Sequence, residues 1–263
     1  MNKLENILSH KREEVARRMK DDSVLKTRRK AESMPPALDF RSALTSSDGT
    51  TRIIAEVKKT SPTADFGGDS IDAVSVAKGY ESAGASAISV LTEEKFFSGS
   101  LNDLIAIKDS VGIPVLCKDF ILDPYQIFEA RAAGADAVLL IAAILDSYEL
   151  KDFITICRRL DINPLVEITD RPDAEKALLC DVDIIGINCR NLKTFEINKS
   201  VFEELTPLIP DDILVVAESG IKSKSDLLYI NDIGIYSALI GSMFMETNDP
   251  GAALGSLLGD DNG

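Results

Sequence analysis

Eight apolar, β-branched segments recur along the chain: RIIAEV (52–57), SAISVL (86–91), IPVLCK (113–118), DAVLLI (136–141), NPLVEI (163–168), VDIIGIN (182–188), ILVVAES (213–219) and YSALIGS (236–242). Between them lie stretches with helical spacing of apolar residues, such as SIDAVSVAKGYESAG, DPYQIFEARAAG and DSYELKDFITICRRL, so strand and helix alternate strictly. Strands that are apolar nearly throughout must be buried on both faces, which is the condition of a parallel sheet covered by helices. An internal echo sharpens this. AGASAISV around Gly84 and AGADAVLL around Gly134 are fifty residues apart, and GIYSALI from Gly234 follows a further hundred on. Two βα units per fifty residues is the interval expected between even-numbered strands of a closed (β/α)8 barrel. An open doubly wound sheet also alternates, but no G-x-G-x-x-G follows the first strand, and eight units are better closed than open. The expectation is an α/β protein with a (β/α)8 TIM barrel, in one domain over residues 1–263.

Residues 1–45 precede the first strand and form an N-terminal helical extension. Leu4, Ile7, Leu8, Val15 and Met19 make an apolar stripe, with Lys3, Lys11, Arg12, Arg17 and Arg18 assigned to the other faces. The two prolines of MPPALDF mark the break after this helix, SSDGT (46–50) reads as a turn, and the C-terminal GDDNG as a frayed tail.

With 43 acidic against 29 basic residues and a net charge of −14, general attraction to nucleic acid or an anionic membrane is disfavoured, so an anionic ligand needs a local site. The N-terminus lacks an apolar h-region, and AVLLIAAIL (137–145) is too short to span a bilayer, so a soluble, unexported, cytoplasmic protein is expected. Cys117, Cys157, Cys180 and Cys189 show no C-x-x-C pairing and no zinc pattern, which suits a reducing compartment. The one histidine, His10, reads as a solvated surface side chain. Proton transfer near neutral pH must therefore rest on lysines and carboxylates with pKa values set by their surroundings.

In a closed parallel barrel the active site sits at the carboxyl ends of the strands, so polar residues there carry the information. Glu56 and Lys58 share a face of the first strand. Lys118 ends the third, Glu167 the fifth, Asn188 and Arg190 the sixth, and Glu218 the seventh. Ser219–Gly220 after the seventh and Gly241–Ser242 after the eighth fall where such barrels hold a phosphate, with Lys58 as countercharge across the mouth. From these residues alone, a barrel that forms a Schiff base through Lys118 or Lys58, as an aldolase would, and an idle barrel serving as a binding module remain open alternatives.

IIAEVKKTSP, SVLTEEKFFSGS, PVLCKDFILDPYQI, LVEITD, GINCRNLKTFE, VAESGI and LIGSMF resemble, in order, the consecutive blocks of the indole-3-glycerol-phosphate synthase family of tryptophan biosynthesis, over nearly the whole chain. The resemblance implies ring closure of 1-(2-carboxyphenylamino)-1-deoxyribulose 5-phosphate with loss of carbon dioxide and water, by a carboxy-lyase that uses no cofactor and no metal. It implies Lys118 as general acid, Glu167 as its counterpart in proton transfer, and Lys58 as an anion contact and second acid. Glu56 would hold the two lysines by charge pairing, while Asn188, Arg190 and Glu218 would contact the substrate carboxylate and hydroxyls. Ser219, Gly220, Gly241 and Ser242 would cradle the phosphate. Ser61 belongs to the mobile first loop, and Phe97, Phe120 and Leu139 would enclose the benzene ring. The partner implied is a small phosphorylated molecule; contact with other enzymes of the pathway is left open. Two departures from the family pattern stand out. The first loop reads SPTADFGGDS, and the fifth strand ends EIT where the family commonly has EVH.

Overall fold

The computed structural model describes residues 3–61, 64–192 and 194–259. Eight strands form a closed parallel barrel in which each pairs with its sequence neighbours and the last with the first. They are β1 (Arg52–Val57), β2 (Ala87–Leu91), β3 (Val115–Lys118), β4 (Ala137–Ile141), β5 (Asn163–Ile168), β6 (Ile184–Asn188), β7 (Leu214–Glu218) and β8 (Ser237–Ile240). Closure is made by the pairing of β1 with β8, Arg52 opposite Ser237 through Ala55 opposite Ile240. The expected (β/α)8 barrel is therefore present, with strand positions within a few residues of those read from the sequence. The tail from Asp260 lies outside the described residues, as do Pro62 and Thr63 of the first loop.

Helices α1 (Lys3–Asp21), α2 (Val24–Glu32) and α3 (Phe40–Leu44) precede the barrel, so the extension is three helices rather than one. Those between and after the strands are α4 (Ala73–Ser82), α5 (Glu94–Phe97), α6 (Leu101–Lys108), α7 (Pro124–Ala132), α8 (Ser147–Arg159), α9 (Arg171–Leu178), α10 (Ser200–Leu205), α11 (Lys224–Asp232), α12 (Ser242–Met245) and α13 (Pro250–Leu258). Their starts are set locally. Asp72, Asp123, Asp146, Asp170, Ser223 and Asp249 each accept first-turn amide hydrogen bonds, and the Asp123–Gln126 and Asp146–Glu149 pairs close capping boxes. The glycines of the internal echo, Gly84, Gly134 and Gly234, have φ of 98°, 98° and 86°, so each ends its helix in a conformation that a side chain would strain. A two-strand hairpin, Thr60–Ser61 with Ala64–Asp65, stands on the loop after β1.

Alternation along the strands divides the apolar residues into two cores. Outward residues such as Ile53, Ile88, Val115 and Val138 pack under the helices, and inward residues such as Ile54, Leu116, Leu165 and Ile184 fill the barrel. The floor of the inner core is closed by Phe40 and Leu44 of α3, both fully buried. Burial of two such side chains stabilises by about 1.5–3 kcal/mol each. Ser237 Oγ, at the amino end of β8, donates to the Leu44 carbonyl at 2.8 Å and fixes α3 there. α2 packs along α7 on the flank, and α1 reaches the opposite end, where Leu4 and Ile7 face the mouth. Among the described residues no helix is long and apolar enough to cross a membrane.

Candidate active site

The carboxyl ends of the strands enclose a cavity of about 400 Å³. All residues assigned to the site from the sequence line it: Glu56, Lys58 and Ser61 from β1 and its loop; Phe97; Lys118 and Phe120; Leu139; Glu167; Asn188 and Arg190; Glu218, Ser219 and Gly220; and Gly241 and Ser242.

Glu56 and Lys58 sit two residues apart and so share the inward face of β1. Lys58 Nζ is 2.7 Å from Glu56 Oε1, and Ser89 Oγ of β2 donates to Glu56 Oε2 at 3.4 Å. Burial opposes charge on Glu56, but Lys58 and then Lys118 outweigh it and hold the carboxyl below its ordinary range. Lys118 Nζ lies 2.7 Å from Glu218 Oε2 and 3.6 Å from Glu167 Oε2, so strands β3, β5 and β7 converge on one ammonium. Burial disfavours that ammonium, yet Glu218, Glu167 and Glu56 together raise its pKa above the ordinary lysine value. Lys118 is held in its protonated form. Burial and the neighbouring Glu218 carboxylate, against the opposing charge of Lys118, push Glu167 up to about 7. Glu167 Oε1 and Glu218 Oε1 are buried with no hydrogen-bond partner among the described residues.

Glu218 accepts from Lys118, and Glu56 contacts Lys58 directly and acts on Lys118 through its charge. The approach of Glu218 depends on Gly186 of β6. A Cβ there would stand 2.0 Å from Glu218 Oε1, so only glycine lets the carboxylate lie against the strand. The GIN of the sixth strand was the available signal, since glycine in a strand interior marks a close approach.

After β6 the Arg190 amide donates to Asn188 Oδ1 at 3.0 Å, and Arg190 Nη1 donates to the Phe195 carbonyl at 3.3 Å. This folds the loop so that Leu192, Phe195 and Ile197 line the cavity, none of them assigned from the sequence. Lys3 of α1 stands 5.0 Å from the centre of the Phe195 ring. Across the mouth the Phe97 and Phe120 rings face each other at 6.2 Å, tilted by 39°. At the far side Ser219 and Gly220 both take left-handed backbone, φ 66° and 72°, the first an unusual conformation for a residue with a side chain. Lys222 and Glu246 lie near this end of the cavity and also escaped sequence reasoning. Cys117 and Cys189 are buried, and burial pushes their thiols up to about 12 and about 11. Thr169, where the family commonly has histidine, donates through its hydroxyl to Asp173 Oδ2 at 3.0 Å and so steadies the start of α9. His10 is half-buried rather than solvated, edge-on to Phe96 at 6.1 Å.

Lys11 departs furthest from the sequence assignment. Placed there on a polar face of α1, it is fully buried, because residues 7, 11 and 15 are four apart and fall on one face, and Ile7 and Val15 are buried too. Its ammonium meets Asp119 and Glu14.

A closed parallel barrel whose strand ends bring lysines and carboxylates into one cavity is the architecture of a (β/α)8-barrel enzyme. Solved structures of 3-hexulose-6-phosphate synthase share the fold: the Salmonella typhimurium protein superposes with a TM-score of 0.64 at 14% identity, over 79% of this chain and 98% of that one. The family model described as indole-3-glycerol phosphate synthase matches residues 4–257. The proteins of that name from Verminephrobacter eiseniae and Campylobacter jejuni subsp. doylei are 44% and 48% identical, covering 97% and 79% of this chain and 98% and 80% of theirs. The chain belongs to the indole-3-glycerol phosphate synthase family.

Proposed function

We propose that the cavity closes the indole ring of 1-(2-carboxyphenylamino)-1-deoxyribulose 5-phosphate, releasing carbon dioxide and water, as the reaction of an indole-3-glycerol-phosphate synthase. The observation that carries the reading is the Lys118 ammonium set between Glu218 and Glu167 in that cavity. The phenylalanine pair lies on one side of it and the serine–glycine turns on the other.

The ring carbon bearing the carboxylate attacks the ketone carbon, a C–C bond forms, and Lys118 delivers a proton to the ketone oxygen. Carbon dioxide then leaves that ring carbon, its bonding pair returns to the ring, and aromaticity is restored. The new hydroxyl departs as water with a proton from Lys58, and Glu167 takes the proton lost from the carbon attached to nitrogen, completing the indole. Two protons are given and one is taken, which matches loss of a carboxylate as neutral carbon dioxide. Glu218 and Glu56 keep the two lysines charged and aimed. A group poised near pH 7 is suited to accept a proton in the last step. Asn188 and Arg190 suit the carboxylate and hydroxyls, and Ser219, Gly220, Gly241 and Ser242 the phosphate. Lys58 adds countercharge to the phosphate because β1 is paired with β8 beside Gly241. Phe97, Phe120 and Leu139 suit the benzene ring, with Ser61 on the loop above.

Schiff-base chemistry needs a lysine whose pKa is lowered, and Lys118 is shifted the other way. The four buried free thiols support a reducing, cytoplasmic setting. Incubation of the purified protein with the substrate should give indole fluorescence without any covalent adduct on borohydride treatment. Absence of indole from folded protein would reject the assignment.

A further inference from the structure

Lys11 of α1 is buried completely, its Nζ 2.9 Å from Asp119 Oδ1 and 3.1 Å from Glu14 Oε2. A buried ion pair is no route to stability: desolvating the ions costs several kcal/mol, and an apolar residue between Ile7 and Val15 would pack the same stripe without that cost. What the ammonium faces is more informative. Asp119 lies between Lys118 and Phe120. Its Oδ2 accepts from Thr92 Oγ1 at 2.9 Å, and its Oδ1 accepts from the Phe120 amide at 2.7 Å, which fixes the backbone as it leaves β3. Glu93, also buried, plays the same part after β2. Its Oε2 accepts from the Phe96 and Phe97 amides at 2.6 and 3.1 Å and sets the first turn of α5. The charge of Lys11 acts on Glu93 as well as on Asp119. Two buried carboxylates, each holding the backbone of one ring of the Phe97–Phe120 pair, thus share a cation supplied from outside the barrel. Arg18 secures the arrangement behind, 3.2 Å from Glu14 and 3.4 Å from Glu129 of α7.

We infer that Lys11 is a positioning residue for the reaction, fixing through Asp119 and Glu93 the two phenylalanines at the aromatic end of the cavity and the exit of the strand that carries Lys118. The inference rests on the reading of the cavity given above. It does not involve the phosphate end, which is built by β7 and β8. Lys11→Met should therefore lower kcat/KM by about 10²-fold, the size of effect that small misplacements produce. Both kcat and substrate affinity should fall, while affinity for inorganic phosphate, read by titration calorimetry, stays at the parent value. Lys11→Arg should recover most of the loss. A phosphate-binding Lys11→Met variant with kcat/KM within about twofold of the parent, well below its melting temperature, overturns the inference. Should Lys11→Met fail to fold, Thr92→Val removes one donor to Asp119 while leaving every charge paired. A drop of about fivefold in kcat/KM is then expected, and unchanged kinetics in that folded variant overturn the inference equally. A parent that makes no indole rejects the cavity reading, and this inference with it.

Discussion

The floor and the mouth of the barrel are made by the same strands, one pleat apart. Ile54 precedes Glu56 on β1, Leu116 precedes Lys118 on β3, Leu165 precedes Glu167 on β5 and Val216 precedes Glu218 on β7, and all eight side chains are inside. The floor is sealed by Phe40 and Leu44, so nothing polar can be solvated there, and the layer is apolar. The mouth holds its buried carboxylates because Lys58 and Lys118 stand against them and the cavity admits a polar guest. What the contrast teaches is that stability and chemistry are separated by one step of two residues, about 7 Å along a strand.

Substitutions on a single strand test that separation most sharply. Lys118→Ala should cost 10²- to 10⁴-fold in turnover, on the order of 3–5 kcal/mol of transition-state stabilisation. Single-turnover rates with folded protein are the check, and an unaltered rate removes Lys118 from the chemistry. Leu116→Ala, one pleat below, should instead lower unfolding free energy by about 2–5 kcal/mol in urea titrations while kcat stays near the parent value. A large loss of kcat without loss of stability would erase the division between layers.

The pH response divides the layers again. The pKa of Glu167 is raised from 4.5 to about 7 in the folded protein, so across that window the native state binds more protons than the unfolded one. Its contribution to stability is present at acid pH, falls as pH rises through the window, and is flat above it. Glu56, shifted down, acts oppositely and loses its contribution on acidification. Glu167→Gln should therefore flatten the decline of melting temperature between pH 4.5 and about 7 and greatly reduce kcat. In the parent, kcat should rise through pH of about 7 as the base ionises. An undiminished decline in the variant would show that other groups govern it.

Gly186→Ala, a methyl placed against Glu218, should destabilise by about 1–3 kcal/mol and lower turnover by displacing the partner of Lys118. Activity equal to the parent would mean that Glu218 is not needed where it stands. Smallest is Ser242→Ala, expected to raise KM a few-fold, about 1 kcal/mol for one hydrogen bond, with kcat little changed. An unaltered KM would argue against Ser242 in the phosphate cradle.

Strand count, strand order and the residues at the mouth were legible because they follow from local rules. Period-two alternation assigns each strand residue to a face, and helix-ending glycines punctuate the βα units. Lys118, Glu167 and Glu218 could be placed at one rim from parity alone. Lys11 could not. On its helix it looks like any surface lysine, and only Asp119, one hundred and eight residues away, makes burial of its charge tolerable. Phe195 and Leu192 were missed for the same reason, since their roles depend on what another segment brings against them, whereas Gly186 carried a local signal in its place inside a strand. The sequence by itself determined the barrel and the charged and polar groups that its strands bring to the mouth. Tertiary structure alone decided which carboxylate pairs with which lysine and that the extension reaches both ends of the barrel, because charge pairing acts between atoms a few ångströms apart, whatever their separation along the chain.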